Sequence, residues 1–140
     1  MNFNIRKKIP DGEEIIRACP LSDTTREKIL RDRQEINDII AGKDNRLIVI
    51  VGPCSAWPSE AVLEYAKKLL ELNEKVKDKL KIVMRVYIQK PRTTKGWTGP
   101  VNQPDPFLPA DIAEGIIYTR KMMVDVVEMG LPIADEALFT

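Results

Sequence analysis

The sequence contains no histidine. That absence removes every Ser-His or Cys-His catalytic pair and every imidazole metal ligand from this chain. Cysteine is scarce as well: Cys19 and Cys54 build no disulfide framework and read as free thiols of a reducing compartment. No apolar run approaches the roughly 20 residues a membrane span needs. The amino-terminal MNFNIRKKIP lacks the apolar centre of a secretory signal. Charge of one sign is missing too, with 22 basic against 21 acidic residues. Nothing global therefore favours nucleic acid or a membrane surface, and a basic site has to be local. A cytoplasmic domain large enough to bury a core is the expectation for 140 residues.

What is present is organised in two parts, an amino-terminal extension over 1–43 with one main helix and an α/β region over 44–140. Pro10, Gly12 and Pro20 punctuate the first twenty residues, leaving room for a short helix at Glu13–Arg17. Thr24 and Glu27 have the spacing of a capping box, and Gly42 stands where a helix-ending glycine belongs, so a helix is predicted from Thr24 to Ala41. Its apolar positions are few, which suits a surface or subunit-contact helix. RLIVIVGPCS then reads as a strand buried on both faces. Residues 59–80 carry helical apolar spacing, KIVMRVYI is a second buried strand, Asp111 caps a helix over 112–129, and LPIADEALF opens a third strand. The order βαβαβ argues a parallel sheet with right-handed crossovers.

Such sheets bind ligands at the carboxyl ends of their strands. Gly52-Pro53-Cys54-Ser55, the loop over 90–99, and Asp135–Glu136 fall there. Arg85 sits inside an apolar strand, and Lys90, Arg92 and Lys95 follow, with no acidic residue anywhere from Val83 to Pro100. Each cation alone reads as a solvated charge, and Arg85 as a partner of a carboxylate such as Glu136. Together, with the hydroxyls of Thr93 and Thr94, they suit phosphate or carboxylate groups. No glycine-rich phosphate loop is present. Cys54 reads as a metal ligand, a nucleophile or a small buried residue. Local features favour the last, because a nucleophile would want a base.

RLIVIVGPCS, IVMRVY with QKPRTT and GW after it, and GLPIADEAL resemble, in order and spacing, the type I synthases of 3-deoxy-D-arabino-heptulosonate 7-phosphate (DAHP). The resemblance runs from about Ala41 to Leu138. It implies a (β/α)8 TIM barrel, of which 140 residues hold about the first three strands. It implies a transferase that condenses phosphoenolpyruvate with erythrose 4-phosphate using a divalent metal (Mn, Fe, Co or Zn), at the head of the shikimate pathway. A homo-oligomer at full length is implied, with neither nucleic acid nor membrane as partner. By residue, Cys54 matches the metal-ligating thiolate. Arg85 and Lys90 match side chains that hold phosphoenolpyruvate, Lys90 being also a candidate proton donor, and Glu136 matches an acidic position there. Arg92 and Thr93 match the grip on the phosphate of erythrose 4-phosphate. The family's Ile-His-Asp after GPCS is Ala56-Trp57-Pro58 here, its lysine after GW is Thr98, and its glycine before Glu136 is Asp135. The remaining metal ligands would lie beyond Thr140, so the chain alone is expected to be inactive. A non-catalytic remnant acting as an interaction or regulatory module, and a general phosphosugar or nucleotide site on an open sheet, are the rival readings.

Overall fold

The computed structural model describes residues 7–92 and 95–138. Three apolar segments pair in chain order as one parallel sheet: β1 (Leu47–Val51), β2 (Leu80–Arg85) and β3 (Ile133–Ala134). Val51 lies opposite Met84, and Met84 and Arg85 lie opposite Ile133 and Ala134. Helices α3 (Ser59–Val76) and α4 (Ile112–Glu128) make the crossovers and pack against each other. A strand order without reversal, with successive crossover helices in contact, is a sector of a (β/α)8 wall. A doubly wound sheet would reverse its order and split its helices between two faces.

The alternation of β2 sorts its side chains. Ile82, Met84 and Val86 join Val62, Ala66 and Leu69 of α3, and Met122 and Val126 of α4, in the buried core. Lys81, Val83, Arg85 and Tyr87 have the opposite parity and lie on the face away from those helices. That face carries charge at both ends, and the amino-terminal end is neutralised from within the chain. Lys81 is buried, and its ammonium sits 2.6 Å from Asp32 and 2.9 Å from Glu35, both on α2 (Asp23–Ile40). Arg46 adds a 2.8 Å contact to Glu35, and Lys28 a 2.6 Å contact to Asp32. Burial works to raise the Glu35 carboxyl, but hydrogen bonds from Arg46 and Lys81 hold it below its ordinary range.

These pairs explain why α2 shows so little apolar periodicity: it is held against the sheet by charge as well as by packing. Its start also departs from expectation. Thr24 and Glu27 form no capping box; the cap is Ser22, whose hydroxyl accepts from the Thr25 amide. Glu128, the last residue of α4, accepts from the Ser22 amide at 2.7 Å, the Ser22 hydroxyl at 2.9 Å and the Thr25 hydroxyl at 2.7 Å. An anion at a helix amino terminus is favoured by the exposed amides and the dipole, and here it comes from the far end of another helix. The hydrogen bonds from the Ser22 amide and from the Thr25 and Ser22 hydroxyls hold the Glu128 carboxyl below its ordinary range.

The short helix expected at Glu13–Arg17 forms as α1 (Gly12–Ala18), started by a capping box of Asp11 and Glu14. Two further expectations need correction. β1 is not buried on both faces: Leu47 and Ile50 are 68% and 60% exposed, since β1 pairs on one side only. The second and third strands end at Arg85 and Ala134, short of Ile88 and Leu138, because the chain beyond each turns into site loops.

Gly52 ends β1 where the backbone of β2 comes closest. A Cβ there would lie 2.0 Å from the Arg85 carbonyl oxygen. Gly52→Ala is expected to destabilise the chain by about 3 kcal/mol, read as a lower urea midpoint. Gly12→Ala, where a Cβ meets nothing within 4 Å, is the control and should leave the midpoint within error.

Candidate active site

At the carboxyl end of the sheet two loops fold over the inward residues of β2. The first leaves β1 at Gly52 and is pinned by the Ala56 amide, which donates to the Tyr87 carbonyl at 3.2 Å, with Ala56 fully buried. The second runs from Ile88 to Val101 and closes on its own base. The Lys90 amide donates to the Thr98 carbonyl at 3.0 Å, and the Val101 amide to the Ile88 carbonyl at 3.3 Å. Gly99, at φ +99°, fits this closure because a Cβ would meet the Ile88 oxygen at 2.4 Å. Trp57 meets the rings of Trp97 and Phe107 edge-on, each at 6.2 Å. The two tryptophans flanking the loops thus tie them together.

Consecutive carbonyls of the first loop each hold a cation. Arg85 donates from its Nη2 to the Pro53 carbonyl at 3.1 Å. Lys90, a buried residue, donates from Nζ to the Cys54 carbonyl and lies 3.7 Å from the Cys54 sulfur. Both cations also sit over one ring: the Tyr87 centroid is 5.1 Å from the Arg85 guanidinium carbon and 4.2 Å from the Lys90 nitrogen. Burial, with a neighbouring Glu136, holds the Tyr87 phenol above its ordinary range.

Carboxylate compensation is thin. Glu136 approaches Arg85 only to 4.0 Å, between partly exposed groups; such a pair is worth about 0–1 kcal/mol. The buried Nε of Arg85 has no acceptor among the described residues. The partners of Lys90 there are a carbonyl, a sulfur and a ring, none of them a carboxylate. An anion entering the site meets cations that are still largely unpaired.

Of the residues singled out from the sequence, Cys54, Arg85, Lys90 and Glu136 converge. Arg92 is exposed, its amide donating to the Lys90 carbonyl at 2.8 Å and its side chain lying over Gly96, where a Cβ would come within 3.1 Å of it. Thr93 lies outside the described residues. Cys54 is exposed, against its reading as a small buried residue. Tyr87 was missed, although its signal was legible: it shares the parity of Arg85 and stands between two cations in sequence. Asp135 is a second negative group here. Loss of hydration raises its carboxyl, opposed by amide hydrogen bonds from Glu136 and Ile88 and by the charge of Arg85.

A resident divalent metal does not fit this chain alone. Among the described residues no cluster of three or more Cys, Asp or Glu side chains could hold an ion. The Cys54 thiolate would be one ligand where a bound ion wants about four.

Residues 19–140 match the model of the DAHP synthetase I family. The chain belongs to this family. It is 45% identical over 131 residues to the phospho-2-dehydro-3-deoxyheptonate aldolase of Corynebacterium glutamicum, covering 94% of this chain and 36% of that protein. It is 46% identical over 126 residues to the Tyr-sensitive aldolase of Escherichia coli K12, covering 90% and 35%. The solved aldolase of Francisella tularensis SCHU S4 superposes with a TM-score of 0.91 at 42% identity, covering 98% of this chain and 40% of that one. The chain thus spans about a third of the length of the curated relatives it matches. The likeness to this DAHP synthase accords with the sheet order above: the chain has the architecture of a partial (β/α)8 barrel.

The charge of Asp135 opposes an anion at this site. Asp135→Asn is expected to tighten binding of inorganic phosphate about threefold at pH 7 and low salt. The raised carboxyl of Asp135 is neutral below its folded-state pKa, so the gain should fade as pH falls through that value. Calorimetric titrations across pH check both effects.

Proposed function

We propose that this chain supplies the phosphoenolpyruvate-gripping part of a DAHP synthase, which condenses phosphoenolpyruvate with erythrose 4-phosphate in aromatic amino acid biosynthesis. The observation that carries the reading is the convergence of Arg85 and Lys90 on consecutive carbonyls, with one carboxylate at the limit of ion pairing to Arg85. A guanidinium fork and a point charge together suit a ligand bearing a phosphate and a carboxylate. Arg92 and Thr93 take the phosphate of the second substrate, and Lys90 donates a proton near the reacting carbon.

Two polyanions repel each other by about 4 kcal/mol per charge pair at 4 Å in a partly hydrated site. Holding them side by side is the main task of these cations. Lys90, fixed by the Cys54 carbonyl and by the Tyr87 ring, is pre-positioned for it. The incomplete ligand set around Cys54 favours a second statement: the chain by itself binds without catalysing.

Phosphoenolpyruvate should bind the unmutated chain, and Arg85→Ala and Lys90→Ala should each weaken it at least about tenfold. Arg92→Ala should change it by less than about twofold and instead weaken erythrose 4-phosphate, because a grip on a separate phosphate contributes separate binding. Mixed with both substrates and Mn, Fe, Co or Zn, the chain should form no heptulosonate phosphate. Product above a protein-free control would overturn the statement that it binds without catalysing.

A further inference from the structure

We propose that Tyr87 is the positioning residue of this site, an aromatic platform that fixes Arg85 and Lys90 for the incoming anion. The substrate half of this inference rests on the reading above; the platform itself does not.

Two like charges on one small surface tend to separate and to seek water. Here both stay over one ring, at 5.1 Å and 4.2 Å from its centroid. The face of a phenol ring is electron-rich and attracts each cation without adding a formal charge. A carboxylate in the same place would neutralise the cations and compete with the substrate; a ring holds them and leaves their charge available. The backbone fixes the ring in turn. Tyr87 follows β2 directly, is itself buried, and receives the Ala56 amide on its carbonyl, so it is tied to the loop that carries Pro53 and Cys54. Those residues supply the carbonyls that hold the same two cations. Ring and carbonyls thus form one cradle that uses no full negative charge. The unpartnered Nε of Arg85 agrees with a guanidinium positioned by a ring and one carbonyl rather than by an acid.

The test compares Tyr87→Leu, which removes the ring, with Tyr87→Phe, which keeps the ring and loses the hydroxyl. Acetic anhydride labelling read by peptide mass spectrometry gives the reactivity of Lys90 relative to exposed Lys68. Lys81, buried in its own ion cluster at the other end of β2, reports any general loosening. The platform requires Lys90 labelling to rise about fivefold in Tyr87→Leu with Lys81 unchanged, and to stay within about twofold in Tyr87→Phe. In the same proteins phosphoenolpyruvate should bind about tenfold more weakly in the Leu variant and within about twofold of the parent in the Phe variant. Unchanged Lys90 labelling in Tyr87→Leu, a parallel rise at Lys81, or failure of Phe to preserve the parent behaviour overturns the platform. No phosphoenolpyruvate binding by the unmutated chain overturns the parent reading and the substrate half with it, while the labelling ratio, which needs no ligand, still decides the platform.

Discussion

A cation on the inward face of a sheet strand has to be compensated, and β2 meets that requirement in opposite ways at its two ends. At the amino-terminal end Lys81 is buried against Asp32 and Glu35, carboxylates supplied by α2. Removing one partner from such a buried pair costs about 3–5 kcal/mol, so this end is committed to structure. Four residues on, with the same parity, Arg85 has a distant Glu136, a backbone carbonyl and a ring, and Lys90 beyond it has no carboxylate among its contacts. The first end is closed by the chain itself, and the second holds cations that carboxylates among the described residues leave largely uncompensated. The division follows the general polarity of (β/α)8 walls, with stability at the amino-terminal end and chemistry at the carboxyl end.

Much of the remaining structure serves this arrangement. The α3–α4 layer anchors Ile82, Met84 and Val86, which fixes the opposite parity for Arg85 and Tyr87. The missing side chain at Gly52 lets the first loop leave directly over the Arg85 carbonyl, bringing Pro53 and Cys54 above the cations. At the far end Glu128 clasps the start of α2, so the helix that neutralises Lys81 is itself held by α4. Each device places a backbone or a charge; none brings an acid to Lys90 among the described residues.

Legibility in the sequence followed the range of the interactions. Helices α3 and α4 were readable because capping and apolar spacing are local, and Asp111 does cap α4 through the Glu114 amide. The cluster of cations after β2 was readable because no acid lies near it in sequence. Whether Arg85 faced the helices or the opposite side was not, since an isolated strand gives parity but not which parity is buried under helices. The role of α2 was hidden, because its partners Lys81 and Glu128 lie 49 and 106 residues from Asp32 and Ser22. The false capping box at Thr24 arose for the same reason: the bonds from Ser22 and Thr25 to Glu128 at the true start span 106 and 103 residues. Local rules misread Cys54, whose exposure contradicts the ordinary fate of a lone thiol.

The central claim is that the counter-ion of Arg85 and Lys90 is the substrate. A crystal structure of the chain soaked with phosphoenolpyruvate tests it most directly. The account predicts density for the ligand within hydrogen-bond distance of the Arg85 guanidinium and the Lys90 ammonium, with Glu136 no nearer to Arg85 than its present 4.0 Å. Arg85 closed onto Glu136 or Asp135 in a tight ion pair, with the ligand elsewhere or absent, would contradict it.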